Sequence, residues 1–321
     1  MSRYLVSFCN TGSFRLAVVS RQGIDRRIEI PKPPVLGTSL GMTGLASANG
    51  KIFVSLQTSP AAVLTLDFDL AVTGLTILRE LADLHGIACH GDRLLIASTG
   101  TDQICSVEQM DAESVKVMWR DADTLTDSLH LNDLRVVEDR VFVSSFGRRI
   151  PGRTRLGSVV DITTGETLAA GLREPHSPFW WRSALYVLDS VSGDLLRFRA
   201  GFPSSRVLGI VGYARGLAVD EKGFVVGKSA YRELSGSKSG HGFPAPHIAP
   251  MSEVNALGRS GVCFFPHDGG QATFVDTTEI GAESSCQRVR HQRFHVEPAI
   301  FRDAKRSSAE LTLHCPPVSS G

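Results

Sequence analysis

His-Gly-Ile-Ala-Cys-His-Gly-Asp-Arg-Leu-Leu-Ile-Ala, residues 85–97, is the stretch whose reading decides the fold. Two short apolar runs flank Gly91-Asp92, a pair that favours a tight hairpin turn. The same arrangement returns four more times. Thr-Gly-Leu-Ala-Ser from Thr43 precedes Lys-Ile-Phe-Val-Ser from Lys51, with Asn49-Gly50 between them. Asn-Asp-Leu-Arg-Val from Asn132 precedes Arg-Val-Phe-Val-Ser from Arg140. His-Ser-Pro-Phe-Trp from His176 precedes Ala-Leu-Tyr-Val-Leu from Ala184, and Arg-Gly-Leu-Ala-Val from Arg215 precedes Gly-Phe-Val-Val-Gly from Gly223. In every copy the third residue and the first large apolar residue of the second half are seven apart, as in Leu45 to Ile52 and Ile87 to Leu94. The copies start 42, 47, 44 and 39 residues apart, near the period of propeller blades.

Each copy therefore reads as the first hairpin of a four-stranded blade. Ala62–Leu66 and Ile104–Val107 are further strands of such units. The N-terminal runs Tyr4–Phe8, Phe14–Val19 and Arg27–Ile30 read as the outer three strands of a blade, and a late run near Gln287–Phe294 as its missing inner strand. The expected fold is all-β: one six-bladed β-propeller over residues 1–301, closed by N- and C-terminal strands. Seven blades would need about 40 further residues. The polar tail, residues 302–321, reads as disordered.

Composition narrows the function classes. The chain has 321 residues, 42% of them hydrophobic, and a net charge of +1. That balance gives no electrostatic reason for a nucleic-acid or membrane partner. Apolar runs long enough for a signal peptide or a membrane span are absent, and the six cysteines are scattered without zinc or disulfide spacing. A cytoplasmic location is the expectation, with the oligomeric state left open.

The apolar frame is constant, but the residue two before the aligned apolar position is always polar: Thr43, His85, Asn132, His176 and Arg215. Inner strands of a propeller line its channel, so these five should meet at one mouth. Around them, the loop 147–157 carries Arg148, Arg149, Arg153 and Arg155, and Lys228 and Arg232 stand near a long insertion at 230–258 that contains His241 and His247. A mobile lid and a solvated surface loop are both open readings of that insertion. The gathered cations predict a small anionic ligand, since guanidinium groups suit carboxylates and phosphates.

His-Leu-Asn-Asp from His130, Glu-Pro-His-Ser-Pro from Glu174, Ala-Arg-Gly-Leu from Ala214 and Val-Gly-Lys-Ser-Ala-Tyr-Arg-Glu from Val226 together resemble an uncharacterised bacterial family of conserved hypothetical, propeller-like proteins. The resemblance spans roughly residues 40 to 290; it implies the fold and supplies no reaction. A more distant likeness is to the regucalcin and gluconolactonase six-bladed propellers, which hold a divalent metal through carboxylate and Asn side chains at inner-strand starts. Asn132 is similar to their Asn, whereas His85, His176 and Arg215 depart from the pattern. If a metal is held, two histidines favour a divalent transition metal over calcium. No cofactor is demanded by any motif.

Two functions follow. In the first, the chain is an enzyme, a lyase, isomerase or hydrolase. His85 and His176 are acid and base or metal ligands, Arg215 clamps the anion, and Asn132 orients the substrate. Thr43, His130, Arg148, Arg149, Lys228, Arg232 and His247 would complete the substrate-binding surface. In the second, the same face of a non-catalytic propeller binds a small anionic ligand or a peptide.

Overall fold

The computed structural model describes residues 2–9, 11–121, 127–150, 153–229 and 259–280, together with the backbone of 286–290. The insertion at 230–258, with Arg232, His241 and His247, lies outside the described residues, as does the tail beyond 290.

The described chain is all-β, apart from two single-turn 3-10 segments at Thr99–Thr101 and Ala112–Ser114. One sheet runs in the order β3-β2-β1-β4-β5-β6-β7. It consists of β1 (Tyr4–Cys9), β2 (Phe14–Ser20), β3 (Gly23–Ile30), β4 (Ser39–Ala48), β5 (Lys51–Thr58), β6 (Ala62–Leu66) and β7 (Val72–Ile77). Its two halves share a single strand pair, Cys9 opposite Gly41, and pack Leu5, Phe14 and Leu16 against Leu45, Val54 and Leu64. Four separate four-stranded antiparallel sheets follow. The first holds β8 (Leu84–His90), β9 (Arg93–Ser98), β10 (Gln103–Glu108) and β11 (Lys116–Arg120), and the second β12 (Leu131–Val137), β13 (Arg140–Ser145), β14 (Gly157–Asp161) and β15 (Glu166–Leu172). The third holds β16 (Pro175–Trp181), β17 (Ala184–Asp189), β18 (Asp194–Arg199) and β19 (Phe202–Gly209), and the last β20 (Tyr213–Asp220), β21 (Gly223–Ser229), β22 (Gly261–Pro266) and β23 (Thr273–Asp276). A final strand, β24 (Cys286–Arg290), pairs antiparallel with β1 from Leu5↔Arg290 to Cys9↔Cys286. Sequential four-stranded meanders of this kind make a propeller-like architecture.

Turn chemistry sets the hairpins. Asn49 and Gly50 both take positive φ, 50° and 75°, which the right-handed twist of a two-residue hairpin requires. Arg182 and Ser183 adopt the same backbone between β16 and β17 without a glycine.

Every first strand carries a register break at the repeated polar position. The breaks fall at Met42/Leu45, Leu84/Ile87, Leu131/Asp133, His176/Phe179 and Arg215/Leu217. A bulge re-aims the side chain at the break and sharpens the local twist. The residue after the polar position is Gly44, Gly86, Asp133, Ser177 or Gly216. A Cβ on Gly44 would lie 2.3 Å from the His85 carbonyl oxygen, and one on Gly86 would lie 2.7 Å from the Asp133 Cα. Neighbouring first strands thus approach backbone to backbone, and only small or hydrogen-bonding residues fit.

The sheets pack face to face. β4 neighbours β8, β8 neighbours β12, β12 neighbours β16, and β16 neighbours β20. Between the first pair of sheets, Val63 and Ala46 pack with Ile87, Leu94, Ile96 and Val107. Tyr4, Val6, Phe8, Ala17 and Val19 of the N-terminal strands pack with Ala218, Val225, Val262, Phe264 and Val275 of the last sheet. Tyr4 also donates its hydroxyl to Asp220 Oδ2 at 2.6 Å. Each enclosed Val, Leu, Ile or Phe side chain contributes about 1.5–3 kcal/mol. Among the described residues, no helix is long and apolar enough to cross a membrane.

Candidate active site

The five aligned polar residues separate into two roles. His85 and Arg215 face a cavity of about 410 Å3 where the first strands begin and the second strands end. Thr43, Asn132 and His176 are buried and bind the sheets to one another. Thr43 donates its hydroxyl to the Leu84 carbonyl at 2.7 Å, tying β4 to β8. Asn132 donates Nδ2–H to His176 Nε2 at 2.8 Å. Because an amide nitrogen only donates, the His176 proton sits on Nδ1, which contacts the Glu174 carbonyl at 2.8 Å and Ser190 Oγ at 2.7 Å. Both ring nitrogens of His176 are therefore committed inside the protein.

A second position, two residues before the first, belongs to the same frame, and of its residues only His130 stands among the binding residues expected from sequence. It holds Gly41, Asp83, His130, Glu174 and Tyr213. Side chains two apart on a strand share a face, so the polar–apolar–polar pattern was a usable signal. Asp83, His130 and Glu174 all take positive φ, near 50°, and Gly41 has φ 112°. Non-glycine residues rarely adopt that conformation, and such strain clusters at functional sites. Asp83, His130 and Glu174 all line the cavity.

Two histidine–carboxylate pairs stand on the cavity wall. Asp83 Oδ1 lies 3.3 Å from His85 Nε2, and Gln57 Nε2 reaches both, at 2.8 Å to Asp83 and 3.0 Å to His85. Donation from Gln57 to His85 requires the Nδ1–H tautomer. Asp127 binds His130 Nδ1 at 2.9 Å. The two imidazole rings lie edge to face with centroids 5.3 Å apart, and His130 also packs on Phe146 at 4.4 Å. Burial raises the Asp83 carboxyl, but the His85 charge and hydrogen bond, with Gln57 and His130, outweigh it and hold the group well below the usual carboxylate range. Burial is the largest influence on His130 and, with the charge of His85, lowers it despite the pull of Asp127.

Arg149, Arg155 and Arg215 supply positive charge to the same cavity. Arg155 is fixed by Nε donation to the Gly147 carbonyl at 2.6 Å and by Nη2 donation to the Ser128 carbonyl at 3.0 Å. The Arg215 guanidinium lies over the Tyr213 ring, 4.6 Å from its centroid, and the Tyr213 hydroxyl donates to Glu174 Oε2. Arg155 and Glu174 stood in the sequence as loop and motif residues, and the structure brings both to the wall.

Other expected binding residues point elsewhere. Arg148 pairs with Asp121 at 2.7 Å and is absent from the cavity wall. Lys228 is buried, donates to the Val211 carbonyl at 2.8 Å, sits over Phe274 and is absent from the cavity wall. Arg232 and His247 lie outside the described residues. The donor set does not fit a metal shared by His85 and His176. Asn132 occupies His176 Nε2, and among the described residues no three His, Cys, Asp or Glu side chains gather as a metal site would need.

The depressed Asp83 carboxyl has a measurable consequence. Its folded value lies below the unfolded one, so its contribution is present above about pH 4 and fades as pH falls further. Asp83→Asn is expected to lower the melting temperature near pH 7, with the difference from wild type shrinking below about pH 4. Thermal unfolding across that range checks it, and a difference independent of pH would contradict it.

Comparison with known proteins adds the following. A family model described as "Domain of unknown function (DUF4915)" matches residues 70–245, more than half of the chain. No curated protein matches the sequence. Among solved structures, a chain of a nidogen/laminin complex is similar with a TM-score of 0.59 and 12% identity, covering 89% of this chain and 97% of that one. A protein of unknown function from Bacteroides caccae is similar with a TM-score of 0.57 and 10% identity, covering 91% and 100%. Virginiamycin B lyase from Staphylococcus aureus is similar at 0.48 and 8%, covering 84% and 83%. At these identities the likeness concerns the fold alone.

Proposed function

We propose, for a chain that belongs to the family described as a domain of unknown function (DUF4915), an enzyme that moves protons on a small anionic metabolite. The reaction class is that of a lyase, isomerase or hydrolase. One observation carries the proposal: the pairs Asp83–His85 and Asp127–His130, with rings 5.3 Å apart, face a cavity that also presents three guanidinium groups. A carboxylate behind a histidine orients the ring and stabilises its charged form, which suits general acid–base chemistry. Arg215, with Arg149 and Arg155, would hold the substrate's anionic group and the charge that develops on it. His130 takes the acid–base role that the repeat frame assigned to His176, because His176 is enclosed and committed to Asn132.

The scaffold in this reading is a six-bladed propeller closed through its ends. Contacts run from β20 to β24 and from β24 back to β4, completing the series of first strands. The single-pair join at Cys9 and Gly41 divides the largest sheet into two units. The packing of Tyr4, Val6 and Phe8 on the last sheet supports the same closure.

The test begins with calorimetry of small carboxylates and phosphate esters, followed by proton NMR of the ligands that bind. Arg215→Gln is expected to weaken binding about 10- to 100-fold. His85→Gln and His130→Gln should each slow the turnover of bound ligand about 10²- to 10⁴-fold. Binding without turnover in the wild-type protein would overturn the enzyme and leave the non-catalytic binding face. Binding indifferent to Arg215→Gln would overturn the anion clamp.

A further inference from the structure

Among the described residues, the charges around the cavity come close to cancelling. The loop between β13 and β14 contributes Arg149 and Arg155, and β20 contributes Arg215. Against them stand Asp83 before β8, Asp127 before β12 and Glu174 before β16. The Tyr213 hydroxyl donates to Glu174, so that carboxylate stays an acceptor. Cys9, at the end of β1, is the remaining titratable side chain on the wall among the described residues. With both histidines neutral, three cations meet three carboxylates among the described residues. An anion entering such a site leaves an uncompensated negative charge in a partly enclosed space, which is strongly unfavourable.

The two histidines can remove that excess where they stand. Protonated His85 would donate Nε2–H to Asp83 Oδ1, already 3.3 Å away, in place of the donation that its neutral Nε2 accepts from Gln57. Protonated His130 would keep its 2.9 Å bond to Asp127 as an ion pair. Burial favours the neutral form of His130, so a proton there can be gained when an anion arrives. We propose that the cavity binds its anion together with protons taken up from solution, as many as two, and that its ligand class is a dianion such as a dicarboxylate or a phosphate ester. This rests on the anion-binding reading above and adds the charge of the ligand and the coupling to protons.

Calorimetric titration of the full-length protein with succinate and with inorganic phosphate, near pH 7.5, in PIPES, HEPES and Tris tests it. The dependence of the heat on buffer ionisation enthalpy gives the protons exchanged. The expected result is uptake of between about one and two protons per succinate, falling by about half in either His130→Gln or His85→Gln. Thermal unfolding of both variants shows whether each is folded. If phosphate alone binds with uptake, the dianion is a phosphate; if succinate alone does, it is a dicarboxylate. Binding whose heat is the same in all three buffers would overturn the proton coupling and leave the anion site standing. No heat with either probe at roughly 10 mM, where even millimolar affinity is visible, would overturn the anion reading itself and this inference with it.

Discussion

Gly86→Ala is expected to destabilise the folded protein by about 3 kcal/mol, a fall in melting temperature of roughly 5–10 °C. The added methyl group would meet the Asp133 Cα and Oδ1 at 2.7 Å and the Leu134 nitrogen at 2.8 Å. Two of those three contacts are backbone, so no rotamer change relieves them. Overpacking of this kind forces the strands apart. β8 and β12 would have to separate where each carries its register break. His85 precedes Gly86 directly, so the strain falls on the site as well. Gly74→Ala is the control: its methyl would sit 3.6 Å from Thr65 Cβ, an ordinary contact, in a strand with no positive φ. Equal melting temperatures for the two variants would refute the close approach of first strands.

That approach explains how much of the architecture could be read in advance. The apolar frame and the hairpin at Asn49-Gly50 depend on local residue choice, so they are legible. Ala62–Leu66 forms the strand its run of apolar residues predicts, whereas the strand expected at Arg27–Ile30 begins at Gly23. The register breaks are legible only in hindsight, as a polar residue followed by Gly, Asp or Ser. Side-chain direction was the harder problem. His85 and His176 occupy the same frame position, but Asn132 from the preceding sheet caps one and Gln57 meets the other beside Asp83. Which neighbour arrives is decided by packing between units some 40 residues apart, and the sequence of one unit does not contain it. Lys228 fails for a similar reason: its stem lies over Phe274 and its ammonium reaches the Val211 carbonyl, a partner no charge pattern announces.

The clearest case of long-range control is Asp102, a fully buried residue at the end of the Thr99–Thr101 turn. Its Oδ2 accepts from Ser128 N at 2.6 Å, Ser128 Oγ at 2.7 Å and Leu129 N at 2.9 Å. Those residues lie between Asp127 and His130, and the Ser128 carbonyl also receives Arg155. One carboxylate thus holds the segment that delivers a histidine pair and steadies an arginine of the cavity. Asp102→Ala is expected to cost about 3 kcal/mol, because two partly buried backbone N–H groups and a hydroxyl lose a charged acceptor. It should also move His130. Burial is the main cause of that ring's lowered pKa, so a loosened segment hydrates it and its titration rises toward the ordinary value near 6.5. Asp102→Asn keeps an acceptor oxygen for Ser128 and Leu129, and should recover most of both effects. Histidine NMR across pH 4–9, with thermal unfolding of the same samples, measures them together. A loss of stability with an unmoved His130 would make Asp102 a scaffold residue only. A shift restored by Asn would show that the acid–base pair is positioned from the neighbouring sheet, through a contact 28 residues away in sequence from His130.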